Sequence, residues 1–187
     1  MIDEKSLIMQ AQSGNINAFR EIVEENKKMV YYLCYDLTGN REDANDLSQD
    51  VFIKVFQSIQ SFQGTGKFSS WLYRITLNEF ISLKRKRNYK IRKKQVAILG
   101  TDMDISENSN ITGEEEKIDS SFIQVQIRKT LYKLSPKERS VFVLRHYHDL
   151  KLKDIGKSLN LSTGTVKSLL FRTMKKLKKE LTAYYQE

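Results

Sequence analysis

The chain has 187 residues, 40% of them hydrophobic and 29% charged, with one Pro, eight Gly and a formal net charge of +9. That composition excludes a disordered or fibrous chain and fits a soluble, helix-rich protein with room for one large domain or two small ones. A pI near 9.5 favours a polyanionic partner, because each Lys or Arg placed on a phosphate releases condensed counterions, with an acidic membrane surface as the second option.

The opening residues Met1-Ile2-Asp3-Glu4-Lys5 lack the basic-then-apolar order of a signal peptide, and no stretch approaches the ~18 consecutive apolar residues of a membrane span. A cytoplasmic protein without direct membrane insertion is expected. Over 17–37, Phe19, Ile22, Val23, Val30, Leu33 and Leu37 recur on one helical stripe. Cys34 lies within that pattern as the single thiol, so an intramolecular disulfide is excluded and a small core residue is the simplest role. Gly39 supplies a stop and Asn40 a cap for a second helix reaching about residue 60, with Glu42 and Asp43 placed against the positive end of its dipole.

On that helix Asp43, Asp46 and Asp50 fall three and four apart and form an acidic face beside Ala44, Leu47, Val51 and Val55. In so basic a chain the stripe suits a positively charged protein partner, and on charge alone it equally suits solvent. Gly64 and Gly66 then interrupt the pattern before a helix expected over 68–89, carried by Trp71, Leu72, Ile75, Leu77, Phe80 and Ile81. Around this start Phe62, Lys67, Phe68, Trp71, Tyr73 and Arg74 mix aromatic rings with cations, followed by Asn78 and the run Lys84-Arg85-Lys86-Arg87. Such a mixture can stack unpaired bases and hold a phosphate backbone. Aromatic residues at helical spacing also serve as core, and the loop 64–67 is the more open candidate.

Composition shifts at the basic run 84–94 and again to an acidic, Ser- and Asn-rich stretch over 101–119. With little apolar surface to offset the entropy of ordering, that stretch reads as a flexible linker at 95–120 between domains 1–94 and 121–187. The expected fold class is all-α, with two small helical domains. Past the linker a helix is expected to end near residue 133. Ser135-Pro136-Lys137-Glu138 marks the next, with a capping Ser, Pro at the first position and a carboxylate for a capping box.

The segment 154–170 reads as a helix-turn-helix. Gly156 is the small residue where two steeply crossed helices touch, Ile155, Leu159, Val166 and Leu169 face inward, Asn160 suits the turn and Ser162 caps the second helix. Thr163, Thr165, Lys167 and Ser168 are then nearest to base edges, while Arg172, Lys175, Lys176, Lys178 and Lys179 trail along phosphates. An ordinary helical hairpin with a solvated basic face is the alternative. His146 and His148 suit surface or interdomain positions, and without a glycine-rich phosphate motif or clustered ligands no catalytic centre, metal, cofactor or small-molecule substrate is expected.

The residues of 42–56, from Glu42-Asp43-Ala44-Asn45-Asp46-Leu47 through Gln49-Asp50-Val51-Phe52, closely resemble the polymerase-binding helix of sigma region two. Phe62-Gln63-Gly64 with Lys67-Phe68-Ser69-Ser70-Trp71-Leu72-Tyr73-Arg74-Ile75 resembles its promoter-melting segment. Leu134-Ser135-Pro136-Lys137-Glu138-Arg139 and Gly164-Thr165-Val166-Lys167-Ser168 resemble sigma region four. Order and spacing are similar to the extracytoplasmic-function group of sigma factors, over nearly the whole chain except the linker.

The resemblance implies a sigma factor that directs promoter-specific initiation by core RNA polymerase and leaves nucleotidyl transfer to the polymerase. It implies that Asp43, Asp46, Gln49 and Asp50 dock on the clamp coiled coil of β′. It further implies that Phe62, Lys67, Phe68, Trp71, Arg74 and Asn78 capture the opened downstream element. Thr163, Thr165, Lys167, Ser168, Arg172 and Lys175 would read the upstream duplex, with the β flap as a second contact. An anti-sigma factor, often membrane-bound, is the implied regulator. Leu169 stands where the family often has a basic residue, which leaves exact base preference open, and Asn45 stands where an acid is common. The competing reading is a DNA-binding regulator whose N-terminal bundle dimerises on palindromic half-sites.

Overall fold

A computed structural model of the chain describes residues 3–98 and 120–184, with side chains over 3–88 and 126–182. The expected linker therefore lies outside the described residues except at 95–98 and at 120. Among the described residues all regular structure is helical: α1 (Glu4–Gln12), α2 (Ile16–Thr38), α3 (Arg41–Ser58), a 3-10 turn (Ile59–Ser61), α4 (Phe68–Ile98), α5 (Ser120–Lys133), α6 (Pro136–His146), α7 (Leu152–Leu159) and α8 (Thr163–Tyr184).

The helix boundaries follow from local chemistry. The Asn15 side chain accepts from the backbone N–H of Asn17 and Ala18 at the start of α2, and Gly39 ends it at φ 78°, donating its N–H to the Tyr35 carbonyl. Only a residue without Cβ adopts that left-handed conformation readily. Asn40 then caps α3 by accepting from the Asp43 N–H at 2.7 Å. At α6 the capping box forms as its sequence signature requires: the Ser135 hydroxyl accepts from the Glu138 N–H, and the Glu138 carboxylate accepts from the Ser135 N–H. α4 runs nine residues further than the apolar pattern suggested, from an expected end at 89 to Ile98, through the domain boundary read at 94. The Lys/Arg-rich run has high helix propensity and contains neither Gly nor Pro.

In the first four helices, Ile22, Val30, Leu33 and Leu37 pack with Ala44, Leu47, Val51 and Val55 and with Phe68, Leu72, Leu77 and Phe80, all at most 1% exposed. Burying each of the larger side chains contributes about 1.5–3 kcal/mol. α1 adds Leu7, Ile8 and Ala11. Cys34 is fully buried and desolvation pushes its thiol up to about 12, as suits a core residue and not a nucleophile. In the C-terminal helices, Val141, Val143, Leu144, Ile155, Val166 and Leu169 join the same continuous core, and Leu131, Leu134, Phe142 and Leu177 form a satellite under α5 and α8. The two halves meet where α6 packs on α2 and α4 and where α7 packs on α4.

Candidate nucleic-acid and partner interface

The helix-turn-helix has the geometry its residues dictate. Asn160 closes α7 in the left-handed region (φ 53°, ψ 50°), which Asn tolerates better than most side chains. A Cβ on Gly156 would lie 2.7 Å from the Leu161 carbonyl oxygen, so the turn passes too close for any other residue. Ser162 caps α8 by accepting from the Thr165 N–H at 3.1 Å. Ile155, Val166 and Leu169 are buried and Leu159 is half-buried, which leaves Thr163, Thr165, Lys167, Ser168, Arg172 and Lys175 together on the exposed side of α8.

One residue of that helix differs from the sequence reading. The Lys176 ammonium, expected on phosphates, lies 2.8 Å from Glu138 and ties α8 to α6. Burial alone would raise the Glu138 carboxyl, but the hydrogen bonds from Lys176 and Ser135 more than offset it and hold the group below its ordinary range. Phe171 is 72% exposed beside Ser168 and Arg172, an apolar element in an otherwise polar face, suited to thymine methyl contact.

On α3 the acids divide. Asp46 and Asp50, with Gln49, are exposed. Asp43 is half-buried and accepts both guanidinium N–H groups of Arg87 from α4, at 2.6 and 2.8 Å. That bidentate contact, assisted by a hydrogen bond from the Asn40 side chain, holds the Asp43 carboxyl below the usual aspartate range against the opposing effect of burial. Asp43 thus clamps α3 to the basic run while its neighbours face solvent.

Beside Gln49 lies an apolar groove of about 840 Å3 between α2 and α3, lined by Phe19, Tyr32, Phe52, Ile53 and Phe56 among others. Ile53 and Phe56 are each 56% exposed at its edge. Sequence reasoning passed over this groove by following only the buried stripe of α3. The signal was present in Ile53 and Phe56, two large apolar residues left on the outward side, and exposed apolar surface of this kind marks an interaction site.

At the start of α4 the aromatic cluster separates into a floor and a rim. Phe68 and Trp71 are only 1% and 7% exposed. Phe62 packs edge-on against Phe68 and tilted against Trp71, its ring centroid 5.2 Å from the first and 5.4 Å from the second. Gln12 fixes the approach to the loop by donating to the carbonyls of Ile59 and Phe62 at 2.9 and 2.8 Å. Gly64 turns the loop at φ 68°. Lys67, Arg74 and Asn78 are exposed around this floor, whereas Tyr73 is turned toward the second domain, its hydroxyl 3.2 Å from His148 Nδ1.

The family model for Sigma-70 region 2 matches residues 22–89, covering α3 and the loop, and that for Sigma-70 region 4 matches residues 130–179, covering the helix-turn-helix. The ECF RNA polymerase sigma factor SigW of Bacillus subtilis is 35% identical over 95% of this chain and 96% of its own length. The ECF RNA polymerase sigma-E factor of Haemophilus influenzae is 27% identical over 96% of each. Among solved structures, the complex of CnrH with the cytosolic domain of CnrY shares the fold with a TM-score of 0.66 at 23% identity, over 97% of this chain and 99% of that chain. The sigma factor RpoE from Bartonella quintana, in complex with the anti-sigma factor NepR, gives 0.67 at 22% identity, over 89% and 98%. The chain belongs to the extracytoplasmic-function RNA polymerase sigma factors of the sigma-70 family.

Proposed function

We propose that this chain recruits core RNA polymerase to its promoters by dividing the work among three surfaces. The exposed acids Asp46 and Asp50 with Gln49, and the adjoining apolar groove, dock on the β′ clamp coiled coil. Asp43 contributes by holding α3 against α4. The loop 62–67 with Phe62, Lys67, Arg74 and Asn78 receives the displaced strand of the downstream element, on the floor made by Phe68 and Trp71. α8 reads the upstream duplex through Thr163, Thr165, Lys167 and Ser168, with Arg172 and Lys175 on phosphates. The domains supplying these surfaces are 1–94 and 121–187, and the second also contacts the β flap.

The observation that carries this reading is the pairing, within a family member, of an exposed acidic face and apolar groove on α3 with an exposed cationic and hydroxyl-bearing face on α8. A regulator that only bound DNA would use the second and leave the first without a purpose. The chain acts as a specificity subunit and not as a catalyst, because polymerase supplies nucleotidyl transfer. No described helix is long and apolar enough to cross a membrane, and a cytoplasmic location follows from the partners. An anti-sigma protein that covers these surfaces is the fitting regulator; RpoE is named in complex with the anti-sigma factor NepR.

Docking and opening are separable by mutation. Asp50→Lys reverses a charge on the docking face and is expected to weaken core polymerase at least tenfold in a binding titration. Trp71→Ala removes the floor of the loop and is expected to leave core binding intact while reducing permanganate reactivity of promoter thymines. Unchanged core affinity in a folded Asp50→Lys protein would remove α3 from the docking role.

A further inference from the structure

Gln12, the last residue of α1, lies ahead of the residues 22–89 that match the region 2 model, yet its side chain reaches the loop that leads into α4. Its Nε2 donates to the Ile59 carbonyl at 2.9 Å and to the Phe62 carbonyl at 2.8 Å. Both N–H groups of one carboxamide are therefore used on the entrance of the loop. The Gln60 side chain returns the contact by donating to the Gln12 carbonyl.

The end of α1 is a fixed base for this reach. Leu7, Ile8 and Ala11 are buried on its inner side. Just beyond it the Asn15 N–H donates to the Gln10 carbonyl at 3.0 Å, and the Asn15 carboxamide donates to Gln10 Oε1 at 3.2 Å. The receiving side is the single 3-10 turn Ile59–Ser61, closed by the Phe62 N–H on the Ile59 carbonyl at 3.1 Å. The chain leaves that turn at Phe62 in an extended conformation (φ −76°, ψ 110°), so no further helical N–H follows to meet the Phe62 carbonyl. Gln12 supplies the donor.

Two constraints meet at Phe62. Its carbonyl is held from α1, and its ring lies against Phe68 and Trp71. Residues 63–67 beyond it are exposed, and the direction in which they leave the core is set at this anchored position. A loop held at its entrance gives up less freedom when it closes on a ligand, so the anchor strengthens binding without touching the ligand.

We propose that Gln12 is a positioning residue for promoter opening, which holds the loop 62–67 over the floor of Phe68 and Trp71 in the conformation that receives the displaced strand. The proposal rests on the assignment of that loop to strand capture given above. What the position requires is a donor at this reach. A Glu would set an oxygen against two carbonyl oxygens, and a Met would keep the length of the side chain and lose both hydrogen bonds.

The test compares the full-length chain with Gln12→Met, with Gln12→Lys, which keeps donors at a comparable reach, and with Phe62→Ala, which removes the ring of the loop. Each is assembled with core polymerase on a promoter mapped by run-off transcription, and permanganate reactivity of its thymines reads opening. Acrylamide quenching of Trp71, the single tryptophan of the chain, reads the cover that the loop gives its floor. Gln12→Met is expected to reduce opening roughly fivefold and to raise quenching about twofold, with core affinity unchanged and a cooperative melt, whereas Gln12→Lys is expected to keep opening within about twofold of wild type. Full opening in Gln12→Met while Phe62→Ala lowers it overturns the positioning role and leaves strand capture by the loop standing. Full opening in Gln12→Met with opening lost in Gln12→Lys makes Gln12 a packing residue, and a fall in core affinity equal to the fall in opening makes it a determinant of docking; either overturns the proposal. Opening unchanged in Phe62→Ala removes the loop from strand capture, and the positioning role falls with that assignment.

Discussion

Asp43 shows how one residue changes meaning between sequence and structure. Its spacing with Asp46 and Asp50 is that of a single acidic face, yet Arg87 from forty-four positions along the chain takes its carboxylate in a bidentate contact. A carboxylate held below its ordinary range stabilises the folded chain above that range, and the contribution is lost as pH falls through the folded value. Asp43→Asn is therefore expected to lower stability by about 0.5–1 kcal/mol at neutral pH, the upper part of the range for a partly exposed pair. The gap to wild type in thermal melts should close as the buffer is taken below about pH 4. A gap that persists in acid would assign the effect to the fit of the side chain and not to its charge. The caps at Asn40 and Ser135, the turn at Asn160 and the small residue at Gly156 were legible because each is decided by neighbours a few positions away. The Arg87 and Lys176 contacts were not, because their partners come from other helices.

At the scale of the element, the helix-turn-helix was the most legible part of the chain. A tight turn, a cap and an inward stripe leave few ways to assemble α7 and α8. Gly156→Val would drive a side chain into the Leu161 carbonyl and is expected to cost about 1–3 kcal/mol as overpacking does. Duplex binding should fall in proportion to the loss of folded second domain, with α3 docking retained. Arg172→Ala and Lys175→Ala are expected to leave the fold intact and weaken DNA binding across sequences, each reducing the salt slope by about 1. Loss confined to one base position would instead make the residue a base reader. The aromatic segment was legible in composition but not in depth. Phe68 and Trp71 share the helical spacing of core residues, and tertiary packing decides that they form the floor while Lys67, Arg74 and Asn78 form the rim. The groove on α3 is illegible in sequence for a similar reason, since its far wall of Phe19 and Tyr32 belongs to α2.

The division of the whole molecule into two helical halves with separate surfaces could be read from the charge and composition shifts near its middle. How the halves sit together could not, because the contacts that set it join residues about a hundred positions apart, Leu37 with Arg139 and Asp36 with His148. No local pattern encodes such pairings. At this scale the function is also decided, since neither the α3 face nor the α8 face alone distinguishes a sigma factor from a partner-binding bundle or an ordinary regulator. The most direct measurement is run-off transcription by purified core polymerase, with and without this chain, on fragmented DNA from its own genome. The account predicts discrete transcripts that start only when the chain is present and are lost with Asp50→Lys. A folded, DNA-binding preparation that neither binds core polymerase nor yields such transcripts would contradict it.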